Sequence, residues 1–206
     1  MRNILLYLEL LMGKVSESSD WIDKVHPPVI NPYNEIRNTI ILMSETLEKY
    51  QNITLIELEG EFLQNIMLRI ITITRWGYVA VFSIIEYTIK EIIAYNKNEN
   101  FRDFIISWES GDFISFNNII KRLKEMGIIN DFELRNWDAH REIRNCIVHN
   151  NSIPNINVKY DLDGFILNGV KDVPFSGPLD GFLILIEKIC KLYFSTLNHL
   201  NLNINS

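Results

Sequence analysis

Leu63, Met67, Ile70, Ile71, Thr74, Tyr78, Val81, Phe82, Ile85, Ile89 and Ile92 recur at helical spacing. The pattern runs from Thr54 to about Asn96. It predicts one very long helix, or two if Gly60 or Gly77 bends or splits it. Thr54 and Glu57 have the spacing of a capping box at its start. A stripe of that length must be buried by other helices, so the expected fold is all-α. The longest apolar run, Trp76 to Ile85, is bracketed by Arg75 and Glu86. It falls short of the ~20 residues a bilayer span needs, so no membrane partner is expected.

The remaining chain reads as helices around this one. Residues 2–25 suggest a first helix, weak at Gly13 and broken at His26-Pro27-Pro28. Asn31 caps a second, with Pro32 in its first turn, running to about Gln51. Residues 1–52 are therefore an N-terminal helical extension packed on a core domain of residues 53–206. Two shorter helices follow, at 101–110 and 113–126, separated near Gly111-Asp112. Asp131 to Asn150 is another, capped by Asn130 with Glu133 three residues on, and stopped by Asn150-Asn151 and Pro154. A small β-hairpin at about 156–168 turns at Asp163-Gly164. Pro174 to Pro178 is a loop, and Leu179 to about Leu200 is the last amphipathic helix. Asp161 and Asp163 lack the rest of a calcium-loop pattern, so the turn reading prevails.

Net charge is −6, with a pI near 5.3. That balance disfavours a protein living by nonspecific affinity for nucleic acid, but leaves room for a local basic site. Cys146 and Cys190 have no metal-like spacing, and reduced thiols in a cytoplasmic protein are expected. The apolar segment Arg2 to Met12 contains Glu9 and no small-residue cleavage site, so it is not read as a signal peptide. No Ser-His-Asp order, phosphate-loop glycine pattern or Cys-x-x-Cys pair is present, and no cofactor or metal is expected.

The chemistry concentrates in Arg141-Glu142-Ile143-Arg144-Asn145-Cys146-Ile147-Val148-His149-Asn150. At about 100° per residue, Phe132, Ala139, Ile143, Cys146 and Ile147 share the expected buried arc. Arg141, Arg144, Asn145 and His149 fall on the other side. Arg144 and His149 are separated by about 7.5 Å along the axis and about 140° around it. A long arginine can reach a phosphate that the imidazole also touches, although one copy makes a loose site and two facing copies a tighter one. Histidine can transfer protons near neutral pH, and guanidinium can bind the nonbridging phosphate oxygens. Asn145 can orient a phosphate or base, and Arg141 is a second phosphate contact. Glu86, an acid in an apolar helix, either anchors Arg144 or Arg141 or is a solvent-facing acid that pairs with Lys90 one turn on. Lys121, Arg122 and Lys124 could steer an RNA backbone or simply form a solvated face. His140 is read as a surface residue, His26 and His199 as structural, and Cys146 as packing. The plain alternative for the whole stretch is an exposed helix face with ordinary arginines and a C-terminal histidine.

Arg144-Asn145-Cys146-Ile147-Val148-His149 resembles the Arg-x4-His signature of the HEPN superfamily, including the polar residue after the arginine and the placement late in an all-helical domain. The likeness covers residues 55–200 in architecture, but only Arg144, Asn145 and His149 residue by residue. It implies a HEPN-like helical bundle, dimeric, and a metal-independent endoribonuclease cutting RNA by 2′-hydroxyl attack in a toxin–antitoxin or antiphage role. Arg144 and His149 would be catalytic, with Asn145, Arg141 and Glu86 supporting. RNA, a second copy and an antitoxin or other defence protein are the implied partners. Asn151 stands where members silenced by nucleotidylation carry tyrosine, so that form of control is not implied. The reading from another class is a non-catalytic helical module that binds a partner protein or a nucleotide.

Overall fold

The computed structural model describes residues 6, 8–13, 32–50, 61–96, 99–175 and 180–204. The elements are α1 (Pro32–Glu48), α2 (Glu61–Asn96), α3 (Arg102–Ser110, after a 3-10 turn at Glu99–Phe101), α4 (Phe116–Glu125), α5 (Asp131–Asn150), β1 (Val158–Leu162), β2 (Phe165–Gly169) and α6 (Gly181–Ile204). The fold is mostly helical with one two-stranded antiparallel sheet. Residues 8–13 are also helical. Most of the expected first helix, the His26-Pro27-Pro28 break, the Asn31 cap and the Thr54–Glu57 capping box lie outside the described residues.

The long helix α2 is the axis of the bundle. Its stripe is buried at Ile70, Thr74, Tyr78, Val81, Phe82, Ile85 and Ile89, while Met67, expected in the stripe, is exposed and Ile66 is buried in its place, and the helix packs against α1, α5 and α6. Leu8 and Leu11 join the same core. α2 runs unbroken through Gly77 and is not split there. A Cβ at Gly77 would run into the Met43 side chain, so the glycine lets α1 and α2 approach closely. Residues Leu63–Ala94 are long and apolar enough to cross a membrane by length and composition, with mean hydropathy 1.4. The same apolar stripe is what a central core helix requires.

α5 begins as its sequence dictates. The Asn130 side chain accepts from the amides of Phe132 and Glu133, and the Glu133 carboxylate accepts from the Asn130 amide at 2.9 Å. It ends at Asn151, whose φ of 54° is left-handed, followed by Ser152 at φ 69°. The buried face differs from the expected arc. Phe132, expected inside, is 46% exposed, and Cys146 is only half-buried. Glu133, Asn136, Trp137, Ala139, His140, Ile143 and Ile147 are the buried positions. The arc is shifted because buried polar side chains find partners on other helices. Glu133 accepts from Ser195 Oγ at 2.7 Å, and Trp137 Nε1 donates to Thr196 Oγ1 at 3.1 Å. Phe82, Phe116 and Trp137 stack edge-on, at 5.9 and 5.4 Å between centroids, and tie α2, α4 and α5 together.

The hairpin pairs Val158 with Gly169 through Leu162 with Phe165. Asp163 and Gly164 both have positive φ, at 53° and 83°, as a two-residue primed turn requires. Asp161 Oδ1 accepts the Gly164 amide, and Lys188 on α6 donates to Asp163. Both aspartates therefore serve the turn. Tyr160 Oη donates to Glu142 on α5 at 3.0 Å, which fixes the hairpin beside the Arg144–His149 helix.

Candidate functional site

Arg144 sits on the edge of α5 that faces α2. Its side chain is 26% exposed. One terminal nitrogen, Nη1, donates to Asn145 Oδ1 at 2.9 Å, and the other, Nη2, lies 3.6 Å from Glu86 Oε2. The guanidinium carbon is 5.8 Å from the centre of the Phe82 ring. Its Nε is buried without a hydrogen-bond partner. Glu86 also accepts from Lys90 Nζ at 2.7 Å. Glu86 therefore pairs with both Lys90 and Arg144 rather than Arg141, and it is mostly buried instead of facing solvent. Arg141 pairs instead with Asp138, one turn back on α5, at 3.1 Å.

Asn145 is half-buried beside Arg144. Its carbonyl oxygen is turned toward the guanidinium, which leaves the amide nitrogen to donate elsewhere. His149 is exposed. Among the described residues no hydrogen bond or ion pair holds its ring. Arg144 and His149 thus differ in kind: one is clamped, the other free to turn.

Sequence reasoning missed Arg75. From α2 its Nη1 donates to Ser152 Oγ at 3.2 Å, just past the end of α5. Ser152 is itself buried, and its amide returns to Cys146 O at 3.0 Å. Arg75 thus reaches the chain just past the end of α5, while Glu86 meets Arg144 within it. Arg75 places positive charge at the carboxyl end of α5, where the helix dipole favours it. The signal was present, because Arg75 is a lone cation flanking an apolar run, the same anomaly that singled out Glu86.

His140 is not a surface residue. It is 1% exposed. Its Nδ1 is 3.0 Å from Tyr78 Oη, which donates to the His140 carbonyl, also at 3.0 Å. With that proton on the carbonyl, Nδ1–H donates to the phenol oxygen. Burial lowers the imidazole pKa to about 3, so the ring is neutral. Burial pushes the Tyr78 phenol well up, with the Arg144 charge pulling against it. Burial likewise raises the Cys146 thiol and sends Cys190 up to about 12, consistent with inert packing thiols. His199 lies 3.7 Å from Glu133, away from the Arg144 face.

Three clefts open near these elements. One of about 250 Å³ lies between α5 and α6 and includes Asn136, His140 and Lys188. One of about 380 Å³ lies between α5 and β1 and includes Arg135, Asp138, Glu142 and Tyr160. The third, about 660 Å³, lies between α3 and α4. The hairpin does wall a cleft against α5, as expected, but on the Glu142 side. Neither Arg144 nor His149 lines any of the three. Of the basic residues on α4, Lys124 pairs with Asp131 and Arg122 with Glu125, while Lys121 is exposed. Among the described residues no group of three or more His, Cys, Asp or Glu side chains is placed to hold a metal ion. Comparison with protein-family models, curated proteins and solved structures finds no match to this chain.

Proposed function

We propose that this is a HEPN-like, metal-independent endoribonuclease of the cytoplasm, acting as a homodimer in a toxin or antiphage role. The observation that carries this reading is a clamped arginine and a free histidine on one helix. Arg144 is held by Glu86 and Asn145 and still has donors to give, while His149 stands open five residues later. Asn145 uses one hydrogen of Nη1, Glu86 faces Nη2 as an ion pair at 3.6 Å, and of the five hydrogens a guanidinium carries, the one on Nε is buried. The remaining donors can bind the nonbridging oxygens of a phosphodiester, whose charge grows as the 2′-hydroxyl adds to phosphorus. His149 takes the 2′-hydroxyl proton or protonates the leaving 5′-oxygen. A second copy facing this helix supplies the other of these two roles, and Asn145 and Arg141 orient the substrate from the same face. The products are a 2′,3′-cyclic phosphate and a 5′-hydroxyl.

One observation favours the rival reading, a non-catalytic module that binds a protein or nucleotide: in a single chain neither Arg144 nor His149 lines a described cleft. End-group analysis separates the two. Cleavage of single-stranded RNA should leave 2′,3′-cyclic phosphate ends, and an RNA with 2′-deoxy sugars at the cut sites should be inert. Absence of cleavage by the purified protein, with no toxicity on expression, would leave the binding module.

A further inference from the structure

We propose that Phe113 is a stacking platform for a base of single-stranded RNA lying alongside the Arg144 site. The inference rests on the reading that the Arg144–His149 face takes RNA. Phe113 precedes α4 and is 92% exposed. A scattered surface apolar residue is ordinary. This one differs because its neighbours connect it to the proposed site. Lys90 Nζ lies 6.0 Å from the centre of the Phe113 ring. The same Nζ is 2.7 Å from Glu86, and Glu86 is 3.6 Å from Arg144. Arg144, Glu86, Lys90 and Phe113 therefore form one line of contacts, from the clamped guanidinium out to the bare ring.

A strand whose phosphate sits on Arg144 passes the Glu86–Lys90 ion pair, whose charges offset and whose side chains are mostly buried, and then reaches an aromatic face. Alternation of cation and aromatic is the arrangement that tracks a single strand, because phosphates take the charge and every base has a π-face. Phe113 also borders the cleft of about 660 Å³ between α3 and α4, whose rim carries Arg102, Arg122 and Asn118. Glu99 and Asp103 stand on the same rim. Positive and negative charge thus balance there. Stacking, not electrostatic attraction, is what this end of the site contributes, and its contribution should not depend on salt.

The test measures binding of a 2′-O-methyl RNA oligonucleotide, which cannot supply the attacking hydroxyl, and cleavage of the matching RNA. The proteins are wild type, Phe113→Ala, Phe113→Leu and Phe113→Trp. Because the side chain is exposed, all four should melt alike. The proposal expects Phe113→Ala and Phe113→Leu each to raise Kd and KM about tenfold with kcat unchanged. Phe113→Trp should bind at least as tightly as wild type, with its added fluorescence quenched by the oligonucleotide. The slope of log Kd against log salt should be the same for wild type and Phe113→Ala. A sugar-phosphate oligomer without bases should bind both equally. Equal Kd and KM for wild type and Phe113→Ala would overturn the platform and leave Phe113 as a contact for something other than RNA. Cleavage with a KM indifferent to Phe113 would overturn this inference while sparing the nuclease reading. Phe113-dependent binding without cleavage would do the reverse.

Discussion

Two residues of α5 behave opposite to their appearance in the sequence. His140 looked like a surface histidine because its neighbours Arg141 and Glu142 are charged. It is buried because Tyr78, far away in the chain, offers both a donor and an acceptor at 3.0 Å. Phe132 fell on the apolar arc of the helix, yet it sits two residues past the cap at the mouth of the cleft between α5 and α6 and is 46% exposed. Periodicity sorts residues by polarity and cannot see a hydrogen-bond partner from another helix. The buried His140 has a measurable consequence. Its folded pKa of about 3 lies below the unfolded value of 6.5. Between those values the unfolded chain binds more protons, so stability is intact above about pH 6.5 and falls as pH drops toward 3. For one group the loss approaches about 1.4 kcal/mol per pH unit. Denaturant titrations from pH 7 to pH 4 should show a shallower loss for His140→Asn than for wild type. Equal slopes would mean that His140 does not titrate in this way.

At the scale of elements, most of the architecture was legible. The α2 stripe, the α5 capping box and the Asp163-Gly164 turn follow from spacing and turn chemistry that act locally. Gly77 was legible as unusual but not for its reason. A glycine in a helix signals either a bend or a close neighbour, and only the packing of α1 shows that the neighbour is Met43. Gly77→Ala should therefore cost about 1–3 kcal/mol through overpacking, despite alanine's better helix propensity. Met43→Ala in the same chain should recover part of that loss, and thermal or chemical unfolding of the double-mutant cycle reads the coupling. Additive effects would mean that the two side chains do not compete for one space.

The whole molecule is where the sequence says least. A mostly helical fold with a small hairpin following α5 in sequence was expected and is present. The candidate site was legible in Arg144, Asn145, His149 and Glu86, since each carries an anomaly of charge or spacing. Arg75 escaped because its partner Ser152 lies on the far side of the chain. What a single chain leaves open, the space in front of His149, belongs to a second copy in our proposal. Sedimentation should find a dimer, and Val148→Glu, a change at an exposed apolar position on the same helix, should shift it toward monomer and lower cleavage together. A monomeric wild type that still cuts RNA would remove the second copy from the mechanism.

The pairing of Arg144 with His149 is most directly tested by single-turnover cleavage of single-stranded RNA in EDTA. Wild type should cut, and Arg144→Ala and His149→Ala should each fall by at least about a hundredfold, the range that loss of a proton-transfer or charge-stabilising group gives. Equal rates for all three proteins would contradict the mechanism outright.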